Sequence, residues 1–266
     1  MPSASTKTAL ITGASSGIGK EFAVQLASEG YDLVLVARRA DRLEALGAEL
    51  TAKHSVSCTA IPLNLAEHDA CERLMNALEE KGLGVDLCIN NAGFGQKGKY
   101  HEVELDRQLA MIDVNCRAVA DLTHRMINHM LTERKETAEG LINLASVAAW
   151  QPGPWMSVYF ASKAFVLHFS EAVYEDVKGQ GLTVTALCPG GTHTEFGDIA
   201  DMADAISFKF GAMTPPPVVK AALSGFRAKQ AVVVPGLFNK LAALFSRFGT
   251  RAMRRGAAGK VMNPGG

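Results

Sequence analysis

Short apolar runs recur along the chain, separated by longer stretches with helical periodicity. The runs "KTALIT" (7–12), "DLVLVA" (32–37), "VSCTAIPL" (56–63), "VDLCIN" (85–90), "GLINLAS" (140–146), "TVTALC" (183–188) and "AVVVP" (231–235) are rich in β-branched residues. Most lack apolar/polar alternation, as strands buried on both faces require. Between them the periodicity predicts helices near 17–29, 41–53, 67–81, 102–134, 157–179 and 215–228. Asp41 and Thr214 are placed to cap two of these helices, and Pro215 suits the first helical position of the second. Strand–helix alternation of this kind implies an α/β fold: a single doubly wound domain with a seven-stranded parallel sheet, right-handed crossovers and helices on both faces. Ligands of such sheets bind beyond the carboxyl ends of the strands, so the chemistry should follow strands.

Composition adds bounds. The 266 residues are 48% hydrophobic and 20% charged, enough to bury one large core. Lys+Arg and Asp+Glu both number 27, so no overall field draws nucleic acid. No apolar run reaches the roughly 18 residues of a membrane span, and "MPSASTKTAL" lacks the apolar core of a secretion signal. Cys58, Cys71, Cys88, Cys116 and Cys188 are scattered and have no metal-ligand spacing. Reduced thiols in a cytoplasmic protein without a bound metal are expected. Charge is unevenly spread, however. No acidic residue follows Asp204, while ten Lys or Arg do, from Lys209 to Lys260.

The stretch "TGASSGIG" (12–19) follows the first strand and opens the first helix. Gly13, Gly17 and Gly19 permit a tight turn and close approach of backbone to ligand, and the helix start at Ser15, Ser16 and Ile18 offers N–H groups to a pyrophosphate. This makes the domain Rossmann-type, although the spacing is G-x-x-x-G-x-G rather than G-x-G-x-x-G. The same letters satisfy G-x-S-x-G, a hydrolase nucleophile turn. That reading needs several strands upstream and an acid and a histidine downstream; one strand precedes, and no acid partners His193. At the tip of the second strand stands Ala37-Arg38-Arg39, where an acid would favour NAD. A guanidinium there suits a 2′-phosphate, so NADP(H) is expected over NAD, with Arg38 the first candidate and Arg39 the second. The bland alternative is two solvated charges at a helix entry.

Between Glu139 and Glu171, Lys163 is the only formally charged side chain. It lies four residues after Tyr159 in "YFASK", on the same helical face. A nearby ammonium favours phenolate and lowers a tyrosine pKa from about 10, fitting the phenol for acid/base work. Alone, Y-x-x-x-K reads as a packed tyrosine and a snorkelling lysine. It is not alone. Ser146 ends a strand thirteen residues before Tyr159, where its hydroxyl can bond a substrate carbonyl. "NNAG" (90–93) ends another strand, and Asn115 sits inside a long helix, where an amide costs propensity and implies a polar role.

Together, "TGASSGIG", "NNAG", Asn115, Ser146, "YFASK" and "PGGTHT" (189–194) resemble the short-chain dehydrogenase/reductase family over nearly the whole chain. The resemblance implies Tyr159 as acid/base, Lys163 depressing its pKa and holding the nicotinamide ribose, Ser146 orienting the substrate carbonyl, and Asn115 anchoring a relay water. It implies cofactor contacts from Gly13, Ser15, Ser16, Gly17, Ile18, Gly19, Arg38, Arg39, Asn64, Leu65, Asn91, Ala92, Gly93, Tyr159, Lys163, Pro189, Gly190, Thr192 and Thr194. Asn64 departs from the acid usual near the adenine. The family also implies a homodimer or homotetramer through helices 102–134 and 157–179. The expected activity is carbonyl/secondary-alcohol interconversion; a non-catalytic NADP-binding sensor is the alternative, though such a protein would typically lose Tyr159 or Lys163.

The segment 191–213 connects the sixth strand to the next helix and carries Phe196, Ile199, Met202, Ile206, Phe208, Phe210 and Met213, the composition of a substrate lid. With Phe94, Trp155, Met156 and His193 it would form a pocket for a hydrophobic ketone or 3-oxoacyl compound. Residues 1–235 thus form the oxidoreductase domain, and 236–266 a basic amphipathic extension of it. In that extension Leu237, Leu241, Leu244, Phe245 and Phe248 share a helical face flanked by Lys240, Arg247, Arg251 and Arg254. Such a face packs on the body or a partner subunit, or contacts an anionic membrane, an acyl carrier or acyl-CoA.

Overall fold

The computed structural model describes residues 6–199, 212–246 and 250–262. The strands are β1 (Thr8–Thr12), β2 (Asp32–Ala37), β3 (Cys58–Pro62), β4 (Leu87–Asn90), β5 (Gly140–Leu144), β6 (Thr183–Leu187) and β7 (Val232–Val233). They form one seven-stranded sheet in the order β3-β2-β1-β4-β5-β6-β7. Every pairing is parallel. The order reverses between β1 and β4, which places a crevice at their carboxyl ends.

The absence of alternation in the strands has a direct cause. Ile11, Leu33, Leu35 and Ile89 pack on one face against Phe22, Leu26, Leu43 and Phe226. Leu10, Val34, Val36 and Cys88 pack on the other against Leu74, Leu122, Met126 and Met130. Both faces are therefore core. Helices α1 (Gly17–Ser28), α2 (Ala40–His54) and α8 (Pro215–Arg227) cover the first face; α3 (Ala70–Glu80), α5 (Ala118–Glu133) and the end of α6 (Ser157–Val177) cover the second.

Thr214 and Pro215 stand at the N-cap and first position of α8, as expected. Asp41 does not cap α2. The chain stays extended only through Arg39, so the helix begins at Ala40 and Asp41 falls in its first turn, where a carboxylate still suits the helix dipole. The helix expected from 67 starts at Ala70, because the preceding residues turn: Glu67 N–H donates to the Asn64 carbonyl at 3.1 Å. The long helix over 102–134 is α4 (Leu105–Ile112), a π turn (Asp113–Arg117) and α5.

Two buried polar groups brace this frame. Asn90 Nδ2 donates to Asn143 Oδ1 at 2.9 Å, and Asn143 Nδ2 to Ser170 Oγ at 2.9 Å, tying β4, β5 and α6 together. At the opposite end of the sheet the fully buried Asp86 accepts from Arg134 Nη2 at 2.7 Å and from Thr8 N at 2.8 Å. Beyond β7 the basic extension forms two helices, α9 (Leu237–Phe245) and α10 (Arg251–Met262). Met262 packs on Ala148, Met156 and Phe160. Of the residues expected in the lid and the tail, Met202, Ile206, Phe208, Phe210, Arg247 and Phe248 lie outside the described residues, and of the Ile199 side chain nothing is described.

Candidate active site

The glycine turn is a cradle that side chains would fill. Gly13 and Gly17 adopt φ of 66° and 55°, in the left-handed region. A Cβ on Gly19 would lie 2.3 Å from the Gly13 carbonyl oxygen, so only glycine lets α1 press against the turn. Thr12 Oγ1 accepts from the backbone N–H of Asn91 and Ala92, each at 3.0 Å, and Asn91 Nδ2 donates to the Thr12 carbonyl at 2.9 Å. The ends of β1 and β4 are thereby fastened on either side of the crevice. Ser16 is the N-cap of α1, and its hydroxyl makes no capping bond.

Arg39 reaches back over this turn. Its Nη2 donates to Ser15 Oγ at 3.0 Å and Ser16 Oγ at 3.3 Å, and its Nη1 to Glu195 Oε2 at 3.1 Å. Arg42 Nη1 donates to Glu195 Oε1 at 2.6 Å. These bonds, that from Arg42 first, hold the Glu195 carboxyl below its ordinary range. Arg38 lines the same cavity but is exposed. The arginine bonded to the loop serines is thus Arg39, the one placed second from sequence, because α2 begins directly after it. Glu195 itself was missed: no local pattern connects α7 (Glu195–Ile199) to an arginine more than 150 positions earlier.

One cavity of about 720 Å³ runs from this turn across the strand ends. Its wall contains Gly13, Ser15, Ser16, Gly17, Ile18, Asn64, Leu65, Asn91, Ala92, Gly93, Pro189, Gly190, Thr192 and Thr194, and, at the far side, Ser146, Tyr159 and Lys163. Gly19 and Asn115 are buried behind the wall. Asn115 sits in the π turn. Its Oδ1 accepts from Phe94 N at 3.1 Å, and its Nδ2 donates to the Phe94 carbonyl at 3.0 Å and to Ser162 Oγ at 3.0 Å. A π turn inserted in a helix is frequently a site device; here the shifted amide binds the backbone that follows "NNAG".

Lys163 is 4% exposed and donates to the Leu144 carbonyl at 2.7 Å; its Nζ lies 5.8 Å from the Tyr159 ring centroid. Ser146 Oγ accepts from Ala148 N at 3.1 Å and donates to the Pro189 carbonyl at 3.4 Å. Burial pushes Tyr159 up to about 12, with the Ser146 side chain pulling the other way, and burial draws Lys163 down to about 8. The depression of the tyrosine expected from Lys163 is therefore not seen, the phenol being raised instead. Desolvation sets the direction, and the Lys163 ammonium directs its proton at the Leu144 carbonyl rather than at the phenol.

Of the expected substrate residues, Phe94 and Phe196 line the cavity, the Phe196 ring centred 5.3 Å from that of Tyr159. Met156 is buried behind the wall, Trp155 packs beside it, and His193 is exposed away from it. Sequence reasoning missed Arg107, which stacks on Phe94 at 4.4 Å, and Phe238, Asn239, Ala242 and Met262, by which α9 and α10 close one side. The amide of Asn239, isolated in an apolar stretch, was the signal available. Among the described residues no cluster of His, Cys, Asp or Glu is arranged to hold a metal.

The glycine cradle, the fastened crevice and the hydroxyl–guanidinium group fit an extended, phosphate-bearing dinucleotide. Comparison with known proteins agrees. The family model for short chain dehydrogenases matches residues 7–202. Serine 3-dehydrogenase of Agrobacterium fabrum is 35% identical over 191 residues, covering 71% of this chain and 73% of that protein. A short-chain dehydrogenase from Sphingobium yanoikuyae in complex with NADPH is 32% identical with a TM-score of 0.79, covering 91% of this chain and 93% of that one. Another, from Burkholderia phymatum in complex with NAD, is 25% identical with a TM-score of 0.80, covering 90% and 92%. The chain belongs to the short-chain dehydrogenase/reductase family: it is an oxidoreductase that works with a nicotinamide cofactor.

Proposed function

We propose that this enzyme interconverts a carbonyl and a secondary alcohol with NADP(H), on a bulky apolar substrate such as a ketone or 3-oxoacyl compound. The observation that carries the reading is the meeting of Ser146, Tyr159 and Lys163 in one cavity whose other end is the glycine turn. A bound nicotinamide supplies or takes up the hydride. The chain's own residues handle the oxygen. Tyr159, held protonated by burial, gives its proton to the carbonyl oxygen in reduction and regains one in oxidation. Ser146 turns its hydroxyl from Pro189 to that oxygen. Lys163, one helical turn on, steadies the phenolate left behind and reaches the cofactor ribose. Asn115 holds the Phe94 backbone, and with it Gly93, against the Lys163 ammonium; a relay water at Asn115 belongs to the same reading.

The NADP preference rests on Arg39 with Ser15 and Ser16, and Arg38 beside them, since guanidinium and hydroxyl donors match a 2′-phosphate. Gly13, Gly17, Ile18, Asn64, Leu65, Asn91, Ala92, Gly93, Pro189, Gly190, Thr192 and Thr194 complete the cofactor wall, with Gly19 acting through packing. The serine dehydrogenase acts on a small polar molecule; here Phe94, Phe196, Phe238 and Met262 favour an apolar one.

The test is oxidation of NADPH and NADH against ketones, aldehydes and 3-oxoacyl thioesters. NADPH should be preferred, and Tyr159→Phe should lose about 10²- to 10⁴-fold in rate with cofactor binding retained. A wild type that binds NADPH yet is as silent as Tyr159→Phe on the whole panel would favour the sensor.

A further inference from the structure

Helix α9 is inside out. Its buried side chains are Asn239 and Ala243, and Asn239 gives an amide proton to the Pro235 carbonyl at 2.8 Å. On the opposite arc of the helix, Leu237, Leu241, Leu244 and Phe245 are 74, 44, 47 and 68% exposed. The water-facing arc of a surface helix is ordinarily polar. A contiguous apolar patch with a polar rim marks an interaction surface.

The rim has one sign. Lys240 flanks the stripe, and Arg251 and Arg255 stand exposed on α10. None of the three pairs with a carboxylate among the described residues. No Asp or Glu follows Asp204 in the chain, so this end holds no counter-charge of its own. A second copy meeting the face by two-fold symmetry would cover the apolar stripe but bring from its own chain end only cations to the rim. An anionic bilayer satisfies both halves: its acyl boundary takes the apolar arc, and its headgroup phosphates take the rim.

We propose that the outer face of α9, with the cationic rim of α10, is a docking surface for anionic lipid. The attachment is peripheral: no helix among the described residues is long and apolar enough to cross a membrane. The inference does not depend on the reaction proposed above, and its test uses neither cofactor nor substrate.

The full-length chain would be sedimented with phosphatidylcholine vesicles, with and without phosphatidylglycerol. The bound fraction should rise about tenfold with the anionic lipid and fall again in high salt. Leu244→Glu with Phe245→Glu, both outside the cavity wall, should abolish binding while the thermal midpoint is unchanged. Lys240→Glu with Arg255→Glu, which spares the apolar arc, should weaken it about as much as omitting phosphatidylglycerol does. Equal binding to neutral and anionic vesicles would overturn the proposal. So would a wild type that ignores vesicles but sediments as an oligomer that Leu244→Glu/Phe245→Glu dissociates, since the occupant would then be a second copy.

Discussion

Lys163 and Tyr159 sit one turn apart, yet burial moves both away from their charged forms. The lysine case yields a test. Unfolded, it titrates near its usual 10.5; folded, near 8. Between those values the unfolded chain binds more protons, so this residue's contribution to stability rises with pH across the window and is lost as pH falls through about 8. Without cofactor, the thermal midpoint of the wild type relative to Lys163→Met should therefore climb between pH 8 and 10, and a flat difference would contradict the buried, depressed lysine. Glu195 is the second residue of consequence. On the NADP reading proposed above, it holds Arg39, which lines the cavity, where a 2′-phosphate would compete for it. Glu195→Gln should tighten NADPH by about two- to fivefold, the scale of exposed ion pairs, and leave NADH unchanged; titration by fluorescence would read both. The sequence exposed Tyr159, Lys163, Ser146 and Asn115 because their types and order are informative in themselves. It could not expose Glu195, whose meaning lies in a partner across the fold, nor rank Arg39 over Arg38, which depends on where one helix starts.

At the scale of elements, the strands were legible because a run covered on both faces has no polar position to obscure it. Helix ends were less so. Asp41 looks like a cap, but the backbone at Arg39 decides where α2 begins. The π turn at Asp113–Arg117 leaves apolar periodicity almost intact while shifting Asn115 onto the Phe94 backbone, so only coordinates reveal it. The glycine turn was legible as a motif, but the division of labour within it was not: Gly13 and Gly17 supply conformation, and Gly19 supplies room. Gly19→Ala, with its Cβ 2.3 Å from a backbone oxygen, should cost about 1–3 kcal/mol in denaturant unfolding and weaken cofactor binding, because α1 must retreat from the turn. A neutral result would mean the turn yields more readily than its cross-ties to β4 imply.

At the scale of the molecule, a second exposed apolar surface lies on elements other than α9. Leu105, Leu109 and Ile112 on α4 and Phe165 on α6 are 61, 48, 44 and 41% exposed. These are the helices through which a homodimer or homotetramer was expected, and this face carries no comparable one-signed rim. We propose that a second copy covers it. Leu109→Glu with Phe165→Glu should shift the protein to monomer in sedimentation velocity, whereas an unchanged profile would place any subunit contact elsewhere.

Helix α9 has the last consequence. Phe238 and Ala242 line the cavity, while Leu241, Leu244 and Phe245 of the same nine residues look outward. Among the described residues, a single layer of chain thus separates the interior of the cavity from whatever adjoins the protein. A disturbance of that layer would reach the cavity at Phe238 and Ala242 and, through Asn239 packed on Gly190, the cofactor wall as well.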